Sequence, residues 1–96
     1  MPTTDVESRA RMLSRQQEIM DLEPGDSVSI ARRIHLSMGL TAEQIAKHVI
    51  QFRGIMDKQV NRARHARREH VYTVETGSFI TRDAALIITV VATRVG

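Results

Sequence analysis

The chain has 96 residues and a net charge of +3 at pH 7, with no cysteine and only three aromatic residues. This length suits one small domain of modest stability, for which self-association into a homodimer is a reasonable expectation. The absence of cysteine excludes disulfides, thiolate zinc sites and cysteine nucleophiles. The scarcity of aromatic residues argues against the binding of single-stranded nucleic acid by base stacking. Because the sequence shows neither a signal peptide nor a membrane span, we expect a cytoplasmic protein with no membrane partner.

Residues 1–23 form the first predicted unit, an N-terminal helical segment. Asp5 is a candidate N-cap, and apolar residues recur at roughly helical spacing over residues 6–22. The apolar face is thin, so this helix either packs weakly or binds a partner. A Pro-Gly-Asp turn signal follows at residues 24–26, and we expect residues 24–96 to form a single α+β domain.

The domain is predicted to begin with a short strand over Ser27 to Ile34. Its first residues alternate, with Val28 on one side and Ser27 on the other, although the second half of the segment is equally compatible with the start of a helix. A linker containing Gly39 leads to the next element.

A long amphipathic helix is predicted after this linker. Thr41 is a candidate N-cap, Gln44 completes a capping box with it, and Glu43 complements the helix dipole. Apolar residues then follow with steps of three and four, which places them in one narrow stripe. The stripe consists of Ile45, Val49, Phe52, Met56, Val60 and Ala63.

Two strands are predicted to complete the domain. The first covers His70 to Thr76, with Phe79 and Ile80 as a candidate extension, and the second covers Leu86 to Arg94. Residues 77–83 are predicted to turn between them. Apolar residues on both faces of the last strand indicate a central strand, or an edge strand buried by a second copy. The fold class is therefore α+β: an N-terminal helix, then β-α-β-β, with one long basic helix packed on a small antiparallel sheet.

Most of the positive charge lies on the predicted long helix. Residues 47–70 carry +5, whereas the rest of the chain carries −2. This asymmetry points to a polyanionic partner, with double-stranded DNA first, although a solvated helix face is the simpler reading. Arg62, Arg64 and Arg68 would contact phosphates, and Arg32 and Arg33 would extend the patch if they lie nearby. The candidate binding residues are Lys58, Asn61, Arg62, Arg64, His65, Arg67 and Arg68.

The segment 40–67 resembles the helix-turn-helix of sigma factors and related response regulators. The resemblance rests on the opening LTAEQIA, on Arg53-Gly54 and on the closing run from Val60 to Arg64. It implies a supporting helix, a turn and a recognition helix that enters the major groove. Ile50 stands where the family has its turn glycine, and a β-branched residue suits that conformation poorly. The uninterrupted apolar stripe favours one continuous helix.

A looser resemblance connects the chain to small phage-encoded proteins of β-α-β-β type. It rests on Gly25-Asp26-Ser27-Val28, on Tyr72-Thr73-Val74 and on the final run from Val90 to Arg94. It implies the same architecture and an origin in a phage or mobile element.

No pattern in the sequence indicates chemistry. The four histidines lack the helical spacing of a zinc pair, and no nucleophile elbow, phosphate loop or dinucleotide turn is present. We therefore expect a protein that is not an enzyme and has no metal or cofactor, and that binds DNA to modulate transcription or occlude a site. The alternatives are a module or inhibitor that docks its Arg-rich face on an acidic host protein, and a structural subunit that self-associates through its last strand.

Overall fold

The structure is a computed structural model, and it describes residues 14–36 and 39–96. The elements in chain order are a helix over residues 14–20 (α1), β1 (Ser27–His35), α2 (Ala42–Ala66), β2 (Tyr72–Ile80) and β3 (Ala85–Arg94). The predicted helix cap at Asp5 and the first half of the N-terminal segment lie outside the described residues. The α+β prediction is confirmed, because the long helix packs on a three-stranded antiparallel sheet.

The sheet has the order β1-β3-β2, and β3 pairs antiparallel with both neighbours. β1 and β2 therefore run parallel to each other with β3 inserted between them, and α2 is the crossover that connects them, which is a split β-α-β arrangement. Both edges of β3 are occupied by strands of the same chain. The interpretation of the last strand as a central strand is confirmed, and its use as a self-association edge is wrong.

α2 is one continuous helix, and its start follows from the capping box. The Thr41 side chain accepts from the backbone N–H of Gln44 at 3.2 Å, and the Gln44 side chain accepts from the N–H of Thr41 at 2.8 Å. At the other end, the N–H of Arg67 donates to the carbonyl of Ala63. No turn interrupts residues 49–52, so this segment does not form the helix-turn-helix that the sequence resembles.

The core lies between α2 and the face of the sheet that the helix covers. Successive strand residues point to opposite faces, and the even-numbered residues of β3 point to α2. These buried β3 residues are Leu86, Ile88, Val90 and Ala92. The α2 residues buried in the same core are Phe52, Met56, Val60 and Ala63. Ile19 of α1 is fully buried in this cluster, so α1 contributes to the core in spite of its thin apolar face.

The β2–β3 turn lies further along the chain than predicted. β2 continues through Gly77 to Ile80, and the loop covers residues 81–84. Ala84 adopts a left-handed conformation with φ of 57°, which a glycine would adopt more readily. The backbone N–H of Ala85 donates to the side chain of Thr81, and the N–H of Thr81 donates to the carbonyl of Ala85. The turn was predicted to begin at Gly77 because glycine is common in turns, but Gly77 pairs with Thr89 within the sheet.

Gln59 is the one polar side chain in the core of the described residues. It is fully buried, and neither its amide nitrogen nor its amide oxygen has a hydrogen-bond partner there. A buried polar group without a partner has lost its hydrogen bonds to water and gained none in exchange, which costs about 1–3 kcal/mol. The position is therefore a local source of instability in α2.

We predict that Gln59→Met stabilises the protein. Methionine has a similar length and helix propensity and carries no amide group, so the free energy of unfolding should rise by about 1 kcal/mol or more in denaturant titrations. Gln51→Met, at an exposed position of the same helix, is the matched control and should leave stability unchanged. A loss of stability in Gln59→Met would show that the amide has partners that this conformation does not contain.

Candidate nucleic-acid interface

The outward side of α2 presents Lys47 and three of the predicted binding residues to solvent. At about 100° per residue, Lys47, Lys58, Arg62 and His65 project within an arc of about 60°, opposite to the buried stripe. All four are exposed. The helix packs by its other side, so the sequence period that buries the stripe also fixes the direction of these side chains.

Four of the predicted residues are unengaged. Lys58, Arg62, His65 and Arg68 are exposed, and none of them makes an ion pair or a side-chain hydrogen bond with another described residue. We call these four residues the basic face; Lys58, Arg62 and His65 belong to α2, and Arg68 lies in the turn that follows it. A cation that is held by no acid retains its full charge for a partner, and a guanidinium can offer two parallel donors to a phosphate.

Arg64 has a different position. Its guanidinium donates from Nη2 to the backbone carbonyl of Tyr72 at 3.0 Å and from Nη1 to the Asn61 side chain at 3.1 Å. Arg53 acts similarly, because its Nη2 donates to the carbonyl of Val74 at 3.4 Å while its Nε lies 3.5 Å from Asp57. Both arginines therefore link α2 to β2.

Sequence reasoning missed this role of the two arginines. Arg53 and Arg64 are eleven residues apart, close to three helical turns, so the period does place them on one line. The helical period does not show which strand lies beside these two arginines, and that strand is β2. Arg64 and Asn61, predicted to face a partner, instead bond to each other.

The turn after α2 places His70 against the buried ring of Tyr72, with 5.9 Å between the ring centres. The Tyr72 hydroxyl lies 3.0 Å from Nδ1 of His70. Burial raises the pKa of Tyr72, while the positive charges of Arg94 and Arg67 act in the opposite direction. Arg67 is only half-exposed and donates to the carbonyl of Ala66 at 3.4 Å, so it is less available to a partner than Arg68.

Arg32 and Arg33 do not extend the basic face. As neighbours in a strand they point to opposite sides of the sheet. Arg32 lies on the α2 side, with its guanidinium carbon 4.6 Å from the centre of the Phe52 ring. Arg33 lies on the uncovered side and pairs with Asp83.

Asp83 anchors the β2–β3 loop through its carboxylate. The Thr81 hydroxyl donates to it, and this hydrogen bond is the largest effect that lowers the pKa of Asp83; Arg33 lowers it further. A carboxyl with a lowered pKa in the folded state stabilises the fold at pH values above its unfolded pKa. That contribution disappears as the pH falls through the folded pKa.

The described part of the chain contains no group of three or more His, Asp or Glu residues placed to hold a metal ion. Among the same residues, no helix is long and apolar enough to cross a membrane.

We predict that Arg64 supports stability and that Arg62 does not. Arg64→Met removes the donor to the Tyr72 carbonyl and should lower the free energy of unfolding by about 1 kcal/mol. Arg62→Met, two residues earlier and without a described contact, should change it by less than about 0.5 kcal/mol. Chemical denaturation of both variants measures the difference, and equal stabilities would contradict the structural role of Arg64.

We also predict that Asp83 contributes to the acid sensitivity of the fold. Because its pKa is lowered on folding, the stabilisation is complete near neutral pH and is lost as the pH falls below about 4. Asp83→Asn should therefore be less stable than the wild-type protein at pH 7 and show a weaker decline between pH 5 and pH 2. Thermal melts across this range provide the measurement, and parallel pH curves for the two proteins would contradict it.

Most of the chain matches a known protein family. A family model described as a domain of unknown function (DUF7609) matches residues 13–96. No curated protein and no solved structure shows significant similarity to the chain. The match extends over α1, the whole sheet and α2, and the chain therefore belongs to the family described as domain of unknown function DUF7609.

Proposed function

We propose that this protein is a non-enzymatic DNA-binding protein that contacts duplex phosphates through the basic face on α2 and the turn that follows it. The observation that carries the proposal is the state of Lys58, Arg62, His65 and Arg68, which are exposed and without an acidic partner among the described residues. A surface cation without an intramolecular acid can replace a condensed counterion on DNA, and the release of that counterion favours binding.

The geometry supports phosphate contacts more than base reading. Arg62 and Arg68 offer planar donors that suit phosphate oxygens, and Lys58, Arg62 and His65 lie along one side of a continuous helix. A continuous helix whose inward side is buried in the core offers only one side to DNA. Such contacts would fix the protein on a duplex and depend strongly on salt, and modulation of transcription or occlusion of a site would follow from occupancy of the DNA. An origin in a phage or mobile element and a cytoplasmic location belong to the same proposal.

A second candidate function is docking on an acidic surface of another protein. It is favoured by the exposed apolar side chains of Ile50, Phe79 and Ile80, which are 71%, 57% and 65% accessible. Phosphate binding gives these side chains no role, whereas a protein interface would bury them. Both functions use the same basic side chains, so mutation of these residues alone does not distinguish them. Nuclease treatment does, because only docking on a protein persists after the nucleic acid is removed.

We predict that Arg62/Arg68→Gln weakens duplex DNA binding about tenfold or more in a low-salt gel shift. It should also reduce the salt dependence of the logarithm of affinity by about two units of slope, because each lost phosphate contact removes nearly one. Arg64 is left unchanged in this variant because its guanidinium links α2 to β2.

The matched control is Arg33/Arg82→Gln, which removes the same charge from the end of the sheet where the β2–β3 loop lies. It should retain wild-type affinity. Equal weakening in both double variants would mean that only net charge matters and would overturn the assignment to the basic face. If the wild-type protein shifts no DNA at low salt, and still binds an acidic protein after nuclease treatment in a manner that requires Arg62 and Arg68, the docking function replaces the DNA-binding one.

A further inference from the structure

The open edge of β2 is divided into a covered half and a bare half. Hydrogen bonding at residues 71 and 81 shows that odd-numbered residues of β2 direct their backbone groups to β3. The even-numbered residues therefore direct theirs outward. The outward carbonyls of Tyr72 and Val74 accept from Arg64 and Arg53 of α2.

The outward groups of Thr76, Ser78 and Ile80 have no hydrogen-bond partner among the described residues. This half of the strand is exposed on both faces, because α2 covers only the first half. An unpaired strand edge is a template for another strand, and proteins usually block such edges with proline, lysine, bulges or inward charges. β2 has none of these, and Glu75 is its one charged residue.

We infer that this bare segment pairs with the same segment of a second copy, antiparallel and about a two-fold axis at Ser78. In that register Ser78 faces its own counterpart, and Thr76 faces Ile80 of the second copy. Each of the three outward-facing residues then exchanges backbone hydrogen bonds with its opposite number, which gives six hydrogen bonds in total. The pairing uses the uncovered residues and stops at Val74, where Arg53 occupies the next outward carbonyl.

Side chains in this register are also self-complementary. Gly77 of one copy lies opposite Phe79 of the other, in the type of pair where side chains approach most closely. A cross-strand aromatic ring over a glycine covers backbone that glycine leaves bare. Phe79 is 57% and Ile80 65% accessible in the single chain, so the pairing buries apolar surface that is otherwise in water.

Ile50 supports the choice of a second copy as the occupant. It projects within about 60° of Arg53 and Arg64 on α2, which is the side that faces β2, and it is 71% accessible. A two-fold axis perpendicular to the sheet keeps both helices on the same face, so each Ile50 is turned toward the other copy. The result is a continuous six-stranded sheet with two helices on one side.

If the protein binds DNA as proposed, the pairing sets the distance between the two basic faces of the dimer. A strand rise of about 3.4 Å per residue places Tyr72 about 20 Å from the axis, and the C-terminal end of α2 lies beside Tyr72. The two basic faces would then be separated by about 40 Å along the strands, close to one turn of duplex DNA. Crosslinking and sedimentation measure the pairing without DNA, so the pairing can fail or succeed independently of DNA binding.

The test uses engineered cysteines, since the chain contains none. Ser78→Cys places two thiols at facing positions, where the Cα atoms of a hydrogen-bonded pair are about 5.5 Å apart, and this distance suits a disulfide. Thr76→Cys is the matched control on the same face of the same strand, because its counterpart is displaced by about 13 Å, beyond the reach of a disulfide. We expect covalent dimer from Ser78→Cys under mild oxidation and little from Thr76→Cys.

A second measurement addresses the uncrosslinked protein. Sedimentation over a hundredfold range of concentration should show a wild-type dimer, and Ser78→Pro should be monomeric because it removes an outward N–H. Ala31→Pro, which removes an outward N–H from the edge of β1, should remain dimeric. A monomeric wild-type protein, a dimeric Ser78→Pro variant, or equal crosslinking of both cysteine variants would overturn the proposal. If the wild-type protein is monomeric, the edge of β2 stays unpaired in this protein alone and is open to a strand of a different protein.

Discussion

The burial of the inward stripe of α2 against β3 is the interaction on which the rest of the structure depends. Met56, Val60 and Ala63 are fully buried there, as are Ile88 and Val90 of the central strand. Each large apolar side chain buried in this way stabilises the fold by about 1.5–3 kcal/mol relative to exposure. Because a helix has one rotation that satisfies this contact, the same burial turns Lys58 and Arg62 to solvent. The electrostatic surface of the molecule is a consequence of its core.

The same rotation determines what the flanks of α2 can reach. One flank passes beside β2, and two arginines on it donate to the outward carbonyls of Tyr72 and Val74. Those contacts satisfy backbone groups at the edge that would otherwise pair only with water. The helix crosses the strand, however, and its N-terminal half does not follow β2 to Ile80. The bare half of the edge therefore arises from the crossing of helix and strand, with no special sequence needed there.

Periodicity in the sequence predicted α2 and its buried side, but it left the second half of β1 open between strand and helix and ended β2 too early. Steps of three and four predicted α2, and its capping box predicted the start at Thr41. Apolar residues on both faces of β3 left two alternatives, a central strand or an edge buried by a second copy, and the sheet order confirms the first. Two other features could not be predicted, because they depend on contacts between elements. Gln59 is polar and yet buried, and Ala84 rather than a glycine adopts the left-handed turn conformation. In each case tertiary packing overrides the local preference of the residue.

Counting charges along the chain also overstates the candidate site. Residues 47–70 carry +5, but Arg53 is paired with Asp57, Arg64 bonds to β2 and Arg67 is half-exposed. Lys58, Arg62 and Arg68 remain as exposed cations near the C-terminal end of α2. Three phosphate contacts correspond to weak non-specific binding at physiological salt, since the salt dependence and the affinity both grow with the number of contacts. Two basic faces held by one rigid sheet would double that number without a second loss of translational freedom. Pairing of the β2 edges would therefore raise the affinity of the proposed DNA contact, although neither proposal requires the other.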